Sequence, residues 1–372
     1  MSDKTKITTI VGTRPEIIRL ASIIKRFDMI FDHRFIHTGQ NSQHELSGVF
    51  FEDLALRQPD LYLGIQVETL GKFLAELFTS IETELTLNRP DAIVILGDTN
   101  SALISILAKR MRIPVYHLEA GNRSFDSNVP EEINRKIIDH SSDFNLCYTS
   151  HAARNLDREG IHPRFVSVIG SPLREVIDSV QTGVQTSNIL DTLKLQKNAY
   201  FVVSIHRQEN IDLPGRLQAI ISCINKMATE HNLKTIVSAH PRFVDKLSKQ
   251  NYALSENVQL IKPLGYLDFL KLQSESRLVI SDSGSISEEA AILGIKAVTI
   301  RDSMERPEAL ETGSILLAGT ERDHFMKSLE TALSQPISKV VPHEYLIPDS
   351  STRVVNFIQS TVSQFKFWSG TR

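Results

Sequence analysis

The segment KITTIVGTRPEIIRLASIIKRF, residues 6–27, decides the fold class of this chain. It begins with the short apolar run Ile7–Val11, turns at Gly12, and continues as Pro15–Phe27 with apolar residues at helical spacing. The same order of short strand, polar or glycine turn and longer helix recurs along the chain. This alternation predicts parallel β-sheets covered by helices.

Two series of predicted strands follow one another in the sequence, which indicates two doubly wound units. The first series is Ile7–Val11, His33–His37, Ala92–Leu96, Val115–Leu118, Phe144–Leu146 and Val166–Ile169. The second series is Phe201–Ile205, Thr235–Ala239, Val258–Ile261, Leu278–Ser281 and Ala297–Ile300. Between them, around Val176–Lys197, the pattern lapses into the polar stretch DSVQTGVQTSN, which is the best candidate for a linker.

The predicted fold is therefore α/β, with two Rossmann-like doubly wound domains that face each other across a cleft. We place the N-terminal domain at residues 1–178 and the C-terminal domain at 179–351. A last predicted helix, from Thr352 to about Phe367, lies in residues 352–372 and is expected to cross back to the first domain. The length of 372 residues supports two domains, because roughly 100–200 residues is usual for one.

The composition excludes several classes of partner. With a net charge of −3, the chain has no global positive field that would attract nucleic acid. No apolar run is long enough to span a membrane, and the N-terminus is predicted to form a first strand, not a signal peptide, so we expect a cytoplasmic protein. The 12 histidines and 2 cysteines show no metal-ligand spacing, so no metal site is predicted.

Polar residues concentrate directly after the predicted strands, where parallel sheets gather their ligand-binding loops. In GTRPEIIR, residues 12–19, Pro15 and Glu16 are ordinary residues for a helix start. Arg14 is not, because a cation at a helix N-terminus opposes the helix dipole, and an anionic ligand such as a phosphate explains it better. Arg19, one turn further along, is placed to reach the same side.

The second domain offers a matching site in SDSGSISEEAAILG, residues 281–294. The small-residue turn around Ser283 and Gly284 directs several N–H groups toward one concave surface, which suits an anion. Glu289 lies early in the next helix and is suited to accept hydrogen bonds from ribose, while Arg306 on a neighbouring loop adds charge for a diphosphate. GxxxxGK[ST] and GxGxxG are absent, so neither ATP hydrolysis nor a nicotinamide cofactor is indicated.

Three carboxylates lie on adjoining strand-end loops of the first domain, in GDTN, HLEAG and PEEINRK: Asp98, Glu119 and Glu131. Asp is also a common helix N-cap, and Glu131 with Arg135 and Glu132 with Lys136 form four-residue pairs that stabilise a helix by themselves. Carboxylates on adjoining loops can also raise a pKa toward neutrality, as general base catalysis requires. His206, in HRQEN, adds a titratable group at the edge of the second domain.

Seven ordered motifs spread over almost the entire chain: GTRPE, GDT, HLEAG, PEExNR, HRxEN, SDSG and RDSxERPE. In this order and spacing they resemble the non-hydrolysing UDP-N-acetylglucosamine 2-epimerase family. The resemblance implies the GT-B architecture, a cytoplasmic homodimer, and neither a metal nor a nicotinamide cofactor. It also implies inversion at carbon 2 of a UDP-activated 2-acetamido sugar, by elimination of UDP to a 2-acetamidoglycal and re-addition.

The resemblance further implies roles for individual side chains. Asp98, Glu119 and Glu131 become acid and base candidates, and His206 becomes the group that stabilises or protonates the leaving phosphate. The implied UDP-binding and substrate-binding residues are Arg14, Arg19, Arg135, Ser283, Gly284, Glu289 and Arg306.

Three departures separate this chain from the common UDP-N-acetylglucosamine 2-epimerases. Arg19 stands where they have lysine, Gln40-Asn41 where they have Gln-His, and the segment before PEE is shorter. Together with the segments GNRSFDSNVPEEINRKIIDH and SIHRQEN, these departures make the chain look more like the branch that converts UDP-2-acetamido-2,6-dideoxy-L-talose into UDP-N-acetyl-L-fucosamine, a precursor of capsules and O-antigens. The first alternative is the same reaction on UDP-GlcNAc and UDP-ManNAc. A GT-B glycosyltransferase and a nucleotide-sugar sensor without catalysis are alternatives of other classes. The three carboxylates disfavour the transferase, and the same carboxylates together with His206 disfavour the sensor.

Overall fold

The computed structural model describes residues 4–40, 44–67, 69–213, 215–239 and 241–369. Asn41, one of the departures noted above, lies outside these ranges. The chain divides into two compact units, Met1–Ser179 with His343–Arg372 and Val180–Pro342. The first division adjoins the predicted boundary at residues 178 and 179, whereas the second unit ends at Pro342 and the predicted domain ended at residue 351.

Each unit contains a parallel β-sheet, with seven strands in the first and six in the second among the described residues. The first sheet comprises β1 (Lys6–Val11), β2 (Asp32–His37), β3 (Leu61–Tyr62), β4 (Ala92–Leu96), β5 (Val115–Leu118), β6 (Phe144–Cys147) and β7 (Val166–Val168). The second comprises β8 (Tyr200–Ile205), β9 (Lys234–Ala239), β10 (Val258–Ile261), β11 (Leu278–Ser281), β12 (Ala297–Thr299) and β13 (Leu316–Leu317). The prediction of two Rossmann-like α/β domains is confirmed. β3 and β13 were not predicted, because a strand of two residues carries no alternating pattern.

Helices connect the strands and cover the sheets. Up to the boundary between the units they are α1 (Arg14–Ile30), α2 (His44–Asp53), α3 (Leu70–Leu87), α4 (Ser105–Arg110), α5 (Pro130–Ser141), α6 (Ser150–Arg158) and α7 (Leu173–Thr186). They continue as α8 (Ile189–Leu193), α9 (Gln208–Asp212), α10 (Arg216–Glu230), α11 (Pro241–Lys249), α12 (Tyr266–Ser274), α13 (Ile286–Leu293), α14 (Pro307–Glu311), α15 (Arg322–Ser334), α16 (Ser350–Thr361) and α17 (Phe365–Trp368). Short 3₁₀ helices occur at Asn100–Ile104, Pro163–Phe165, His343–Leu346 and Val362–Gln364.

Apolar side chains at the expected spacings bury both faces of the sheets. α1 places Ile17, Leu20 and Ile24 against the first sheet, three and four residues apart, and all three are fully buried. β4, with the sequence AIVIL, is buried throughout, as the central strand of a parallel sheet covered on both faces should be.

The strand order of each sheet reverses near its centre, which is where open parallel sheets form ligand-binding crevices. The first sheet has the order β3-β2-β1-β4-β5-β6-β7, so the reversal lies between β1 and β4. The second has the order β10-β9-β8-β11-β12-β13, with the reversal between β8 and β11. GTRPE and GDTN therefore follow the two strands at one reversal, and HRQEN and SDSG follow the two strands at the other.

The predicted linker around Val176–Lys197 is helical in the structure, since α7 continues to Thr186 and α8 follows it. Val176, Val180 and Val184 are buried at four-residue spacing, so the polar residues between them occupy the other helix faces. The division between the two units, at residues 179 and 180, thus falls inside a helix.

The C-terminal segment forms part of the first unit. α16 packs on α1, where Arg26 Nε donates a hydrogen bond to Ser351 Oγ at 2.9 Å. The single helix predicted from Thr352 begins earlier, at Ser350, and is interrupted by the 3₁₀ turn Val362–Gln364. Across the described residues, no helix combines the length and the apolar character that crossing a membrane would need.

Candidate active site

Glu119 is a buried carboxylate held in an unusual backbone conformation. It follows β5 with φ of 65°, a left-handed value that is uncommon outside glycine and that clusters at functional sites. Its side chain forms an ion pair with Arg19 of α1 and accepts a hydrogen bond from Asn122 Nδ2 at 3.4 Å. Glu119 is 8% exposed and Arg19 is 6% exposed, so the pair joins HLEAG to GTRPEIIR inside the first unit.

Asp98 forms a second carboxylate–arginine pair, also at the carboxyl ends of the strands of the first sheet. Arg135 of α5 contacts Asp98 Oδ2 through one guanidinium nitrogen and Glu132 Oε2 through the other, the latter at 3.1 Å. Asn134 Nδ2 also donates to the Asp98 carbonyl oxygen at 2.9 Å. α5 therefore fixes both the backbone and the side chain of Asp98.

Glu131 and Glu132 differ in their surroundings although they are adjacent in the first turn of α5. Glu132 was predicted to form a helical pair with Lys136, but it is 2% exposed and accepts hydrogen bonds from Ser124 N at 2.9 Å and Phe125 N at 3.3 Å. It therefore fixes the loop that precedes α5. Glu131 is half-buried and has no hydrogen-bond or ion-pair partner in the described part of the chain, which leaves its carboxylate available to a ligand.

Arg14 lies at the start of α1 beside an aromatic ring. Its guanidinium carbon is 5.7 Å from the centre of the Phe50 ring, and burial lowers the pKa of Arg14. No carboxylate of the described residues pairs with it. A partly desolvated arginine at a helix N-terminus without a counter-ion suits an anionic ligand, as the sequence predicted.

Glu16 was predicted only as a favourable residue for a helix start, and the structure gives it a larger role. It is 1% exposed and accepts hydrogen bonds from Gly12 N at 3.0 Å, Thr13 Oγ1 at 2.7 Å and Thr99 Oγ1 at 3.2 Å. It thereby joins the loop after β1 to the loop after β4. Burial raises the pKa of Glu16 to about 7, against the opposing effect of these donors.

Asp282 organises the edge of the second sheet, although the sequence analysis gave it no role. It is fully buried and accepts hydrogen bonds from His206 N and Arg207 N at 3.0–3.1 Å and from Asn210 Nδ2 at 2.9 Å. Its Oδ1 is also 3.1 Å from Nδ1 of His206, whose side chain is 47% exposed. The position of Asp282 at a strand end, like that of Asp98, was the available signal.

The predicted diphosphate residues of the second unit lie close to one another. A Cβ on Gly284 would lie 2.8 Å from Glu305 Oε1 and 3.1 Å from an Arg306 nitrogen, so the turn and Arg306 are in contact. Ser283 N and Ser285 N donate to the hydroxyl groups of Ser281 and Ser283 at 3.0 and 3.3 Å.

Acidic side chains surround Arg306, which was not expected from the sequence. Arg306 is 2% exposed and pairs with Glu288 at 2.9 Å and Glu305 at 3.3 Å, so its charge is largely balanced before a ligand arrives. Glu289, predicted to bind ribose, accepts a hydrogen bond from Gln273 Nε2 at 3.0 Å. The assignments of Ser283, Gly284, Glu289 and Arg306 to UDP stay predictions.

The fold defines a two-unit α/β protein whose candidate site residues lie in loops and helices that follow the parallel strands. Comparisons with known proteins narrow this class. The model of the UDP-N-acetylglucosamine 2-epimerase family matches residues 25–359. The UDP-N-acetylglucosamine 2-epimerase of Methanocaldococcus jannaschii is 35% identical over 342 residues, which are 89% of this chain and 93% of that protein.

Two further similarities agree in fold and in chemistry. The UDP-2,3-diacetamido-2,3-dideoxy-D-glucuronate 2-epimerase of Pseudomonas aeruginosa is 34% identical, over 89% of this chain and 93% of that protein. A crystal structure of the M. jannaschii UDP-GlcNAc 2-epimerase in complex with UDP-GlcNAc and UDP matches with a TM-score of 0.90 at 34% identity, covering 96% of this chain and 100% of that one.

This chain belongs to the UDP-N-acetylglucosamine 2-epimerase family. It is a UDP-sugar 2-epimerase, and therefore an isomerase, with a GT-B type fold. The family and the fold class predicted from the seven motifs are confirmed. Because the related proteins are named for different UDP-sugars, the family alone does not decide the sugar.

Proposed function

We propose that this enzyme interconverts UDP-2-acetamido-2,6-dideoxy-L-talose and UDP-N-acetyl-L-fucosamine, and so supplies a precursor of capsules or O-antigens. UDP leaves carbon 1 with the bonding electrons, a carboxylate takes the proton from carbon 2, and a 2-acetamidoglycal with a carbon 1–carbon 2 double bond results. A proton then returns to carbon 2 on the other face and UDP re-adds at carbon 1. The hydrogen at carbon 2 becomes acidic only as UDP departs, so stabilising the leaving group is part of catalysis.

The exposure and the backbone conformation of Phe125 support a 6-deoxy sugar. Its side chain is 75% exposed, and its φ of 55° is rare for a non-glycine residue. Glu132 maintains this conformation through the N–H groups of Ser124 and Phe125, and the same carboxylate pairs with Arg135. An exposed aromatic ring, carried by this fixed stretch of backbone between Glu119 and α5, is suited to cover a methyl group, whereas a hydroxymethyl group would lose hydrogen bonds to water there.

The roles of the site residues are part of this proposal. Arg14, which lacks a counter-ion in the described part of the chain, would hold the diphosphate, with Ser283, Gly284 and Arg306 on the second unit and Glu289 at the ribose. We assign the role of base to Glu131, because no arginine pairs with its carboxylate among the described residues. Asp98 and Glu119, each paired with an arginine, would act on the other face and orient the sugar, while His206 would stabilise or protonate the leaving phosphate.

A homodimer is also proposed, supported by apolar side chains that stay exposed on two neighbouring helices of the first unit. Ile106 of α4 is 39% exposed, and Ile133 and Ile137 of α5 are 55% and 40% exposed. Their replacement by aspartate should shift the molecular mass measured by light scattering to that of a monomer. A wild-type protein that is monomeric at micromolar concentration would contradict the dimer. The predicted cytoplasmic location stays a prediction.

Proton NMR in heavy water tests the proposed reaction and sugar together. The enzyme is offered UDP-N-acetyl-L-fucosamine and UDP-GlcNAc in separate samples, and the carbon 2 hydrogen is followed. We expect loss of that signal and appearance of the talo epimer from the first sugar alone. Exchange with UDP-GlcNAc alone would establish the second candidate, the UDP-GlcNAc/UDP-ManNAc 2-epimerase, which the names of the relatives favour.

The Phe125→Ala variant tests whether the ring of Phe125 contacts carbon 6 of the sugar. Removing the ring should raise the KM for the 6-deoxy sugar by roughly fourfold or more, because one buried methyl group is worth about 0.8 kcal/mol. The kcat should change little. An equal change for both UDP-sugars would mean that Phe125 does not contact carbon 6.

A further inference from the structure

His117 lies in β5, directly between two of the segments that carry candidate carboxylates. Its ring is 1% exposed, its Nε2 is 2.8 Å from the carbonyl oxygen of Gly97, and its Nδ1 is 2.8 Å from Asp139 Oδ1. A carbonyl oxygen and an ionised carboxylate each accept hydrogen bonds and cannot donate them. The ring therefore donates from Nε2 to Gly97 and shares a proton with Asp139 at Nδ1.

Gly97, which precedes Asp98, is bound to β5 through both of its backbone groups. Its N–H donates to the Leu118 carbonyl oxygen at 2.9 Å, and its carbonyl accepts from His117. Its φ of 72° makes the sharp turn out of β4 that glycine tolerates at little cost. The backbone at Asp98 is thus held by two neighbouring residues of β5.

Asp139 extends these contacts to the other two segments. It is fully buried in α5, the helix that carries Glu131 and Arg135. Its carboxylate accepts hydrogen bonds from Gly121 N at 3.2–3.3 Å, just after Glu119, and pairs with Arg123 at 2.7 Å. One imidazole–carboxylate contact therefore connects the loop of Asp98, the loop of Glu119 and the helix of Glu131.

We infer that His117 is a positioning residue that fixes the three carboxylate-bearing segments relative to one another. This inference rests on the proposed elimination and re-addition. The reaction needs groups on both faces of carbon 2, and a displacement of about 1 Å at a reacting group is enough to cost roughly 100-fold in rate. If the loop of Asp98 moves away from Glu119 and Glu131, re-addition of UDP becomes slower relative to its release. UDP and the 2-acetamidoglycal are then released more often per turnover.

Two substitutions separate the two contacts of His117. In His117→Gln the amide nitrogen lies where Nε2 was and can still donate to Gly97, whereas in His117→Asn it lies where Nδ1 was and can reach only Asp139. His33 provides the matched control, since its side chain is 1% exposed and its ring contacts Asp28 Oδ1 at 2.6 Å and Thr9 Oγ1 at 2.9 Å. His33 lies near the amino end of β2, away from the carboxyl-end loops.

The measured quantity is the ratio of released glycal and UDP to epimerised product, which does not depend on the fraction of folded enzyme. We expect this ratio to rise roughly tenfold in His117→Asn, to stay within about twofold of wild type in His117→Gln, and to stay unchanged in His33→Asn and His33→Gln. Amide hydrogen exchange of residues 97–104 should quicken in His117→Asn alone. An unchanged ratio in His117→Asn would overturn the inference, whatever its melting temperature.

Failure of the proposed function gives a different result. In that case the wild-type enzyme produces no epimer and no glycal from the UDP-N-acetyl-L-fucosamine sample. Amide exchange of residues 97–104 then decides whether His117 holds the loop of Asp98, and exchange in His117→Asn as slow as in wild type would overturn the positioning role.

Discussion

The loops at the carboxyl ends of the strands, here called the first edge for the first sheet and the second edge for the second sheet, use charged side chains in different ways. At the first edge Asp98 and Glu119 each pair with an arginine, while Arg14 and Glu131 have no such partner in the described part of the chain. At the second edge Asp282 accepts hydrogen bonds from the backbone of the HRQEN loop. The first edge thus carries groups suited to move a proton, and the second carries a preorganised backbone suited to hold a ligand.

The first variant, Glu119→Gln, tests whether the first edge does the chemistry. The amide cannot exchange a proton with carbon 2 and no longer balances the charge of Arg19, so we expect kcat to fall by about 10²–10⁴-fold. Affinity for UDP should stay within about tenfold, which is roughly 1.4 kcal/mol. Turnover is measured by NMR and UDP affinity by calorimetry.

Glu84→Gln is the matched control, because Glu84 is another buried glutamate of the first unit that pairs with an arginine, Arg34. It should cost stability without a specific loss of kcat. A large loss of UDP affinity in Glu119→Gln would mean that Glu119 is needed for binding, and the division between the two edges would fail.

The second test uses the pH dependence of stability that Glu16 gives to the first edge. The folded protein keeps the Glu16 proton up to about pH 7, whereas the unfolded chain releases it near 4.5. The stabilisation is therefore fully present below the unfolded pKa and is lost as the pH rises through the folded pKa of about 7. The loss amounts to about 3 kcal/mol in the free energy of unfolding.

Glu16→Gln should remove this dependence. Thermal unfolding of wild type and variant between pH 5 and pH 8 measures the difference, and the two curves should diverge as the pH rises. Thr99→Ala, which removes one donor to the carboxylate, should move the transition to higher pH. Parallel curves for wild type and Glu16→Gln would show that Glu16 is ionised throughout.

The third variant, Asp282→Asn, tests the second edge. An amide can still accept through its oxygen, but its nitrogen would face backbone donors of the HRQEN loop, and Nδ1 of His206 would lose its carboxylate partner. We expect kcat/KM to fall roughly 100-fold, with weaker UDP binding as part of the loss. The weaker UDP binding distinguishes Asp282→Asn from Glu119→Gln, which is expected to lose kcat and to keep its affinity for UDP.

Asp245→Asn is the control for the same unit, since Asp245 is 54% exposed and pairs with Lys249. It should behave like wild type. Normal turnover in Asp282→Asn would mean that the HRQEN loop keeps its conformation without this carboxylate.

The sequence predicted the strands well because long parallel strands are continuous apolar runs, as AIVIL of β4 shows. It failed where a pattern was short or mixed. β3 and β13 have two residues each, and the residues after Val176 have valines at helical spacing that their polar neighbours obscure. Hydrophobic periodicity cannot detect a strand of two residues, and the polar composition after Val176 wrongly indicates a linker where the structure has a helix.

For the candidate site, the sequence predicted which loops carry the candidate side chains but not which partners those side chains contact. Arg135 was expected beside Glu131 on one helix, and it reaches Asp98 across a loop. Asp282 and His117 had no predicted role, because their importance depends on backbone groups from other strands. Contacts of this kind depend on strand order, which spacing in one chain does not give.

Arg14→Ala tests the one point at which the first edge is proposed to hold the ligand as well. Removing a charge-assisted contact to a phosphate should weaken UDP binding roughly 10–100-fold. Arg174→Ala is a suitable control, because Arg174 lies in the same unit and pairs with exposed Asp178. Unchanged UDP affinity in Arg14→Ala would assign the diphosphate to the second edge alone, and the cation beside Phe50 would then need a different anion.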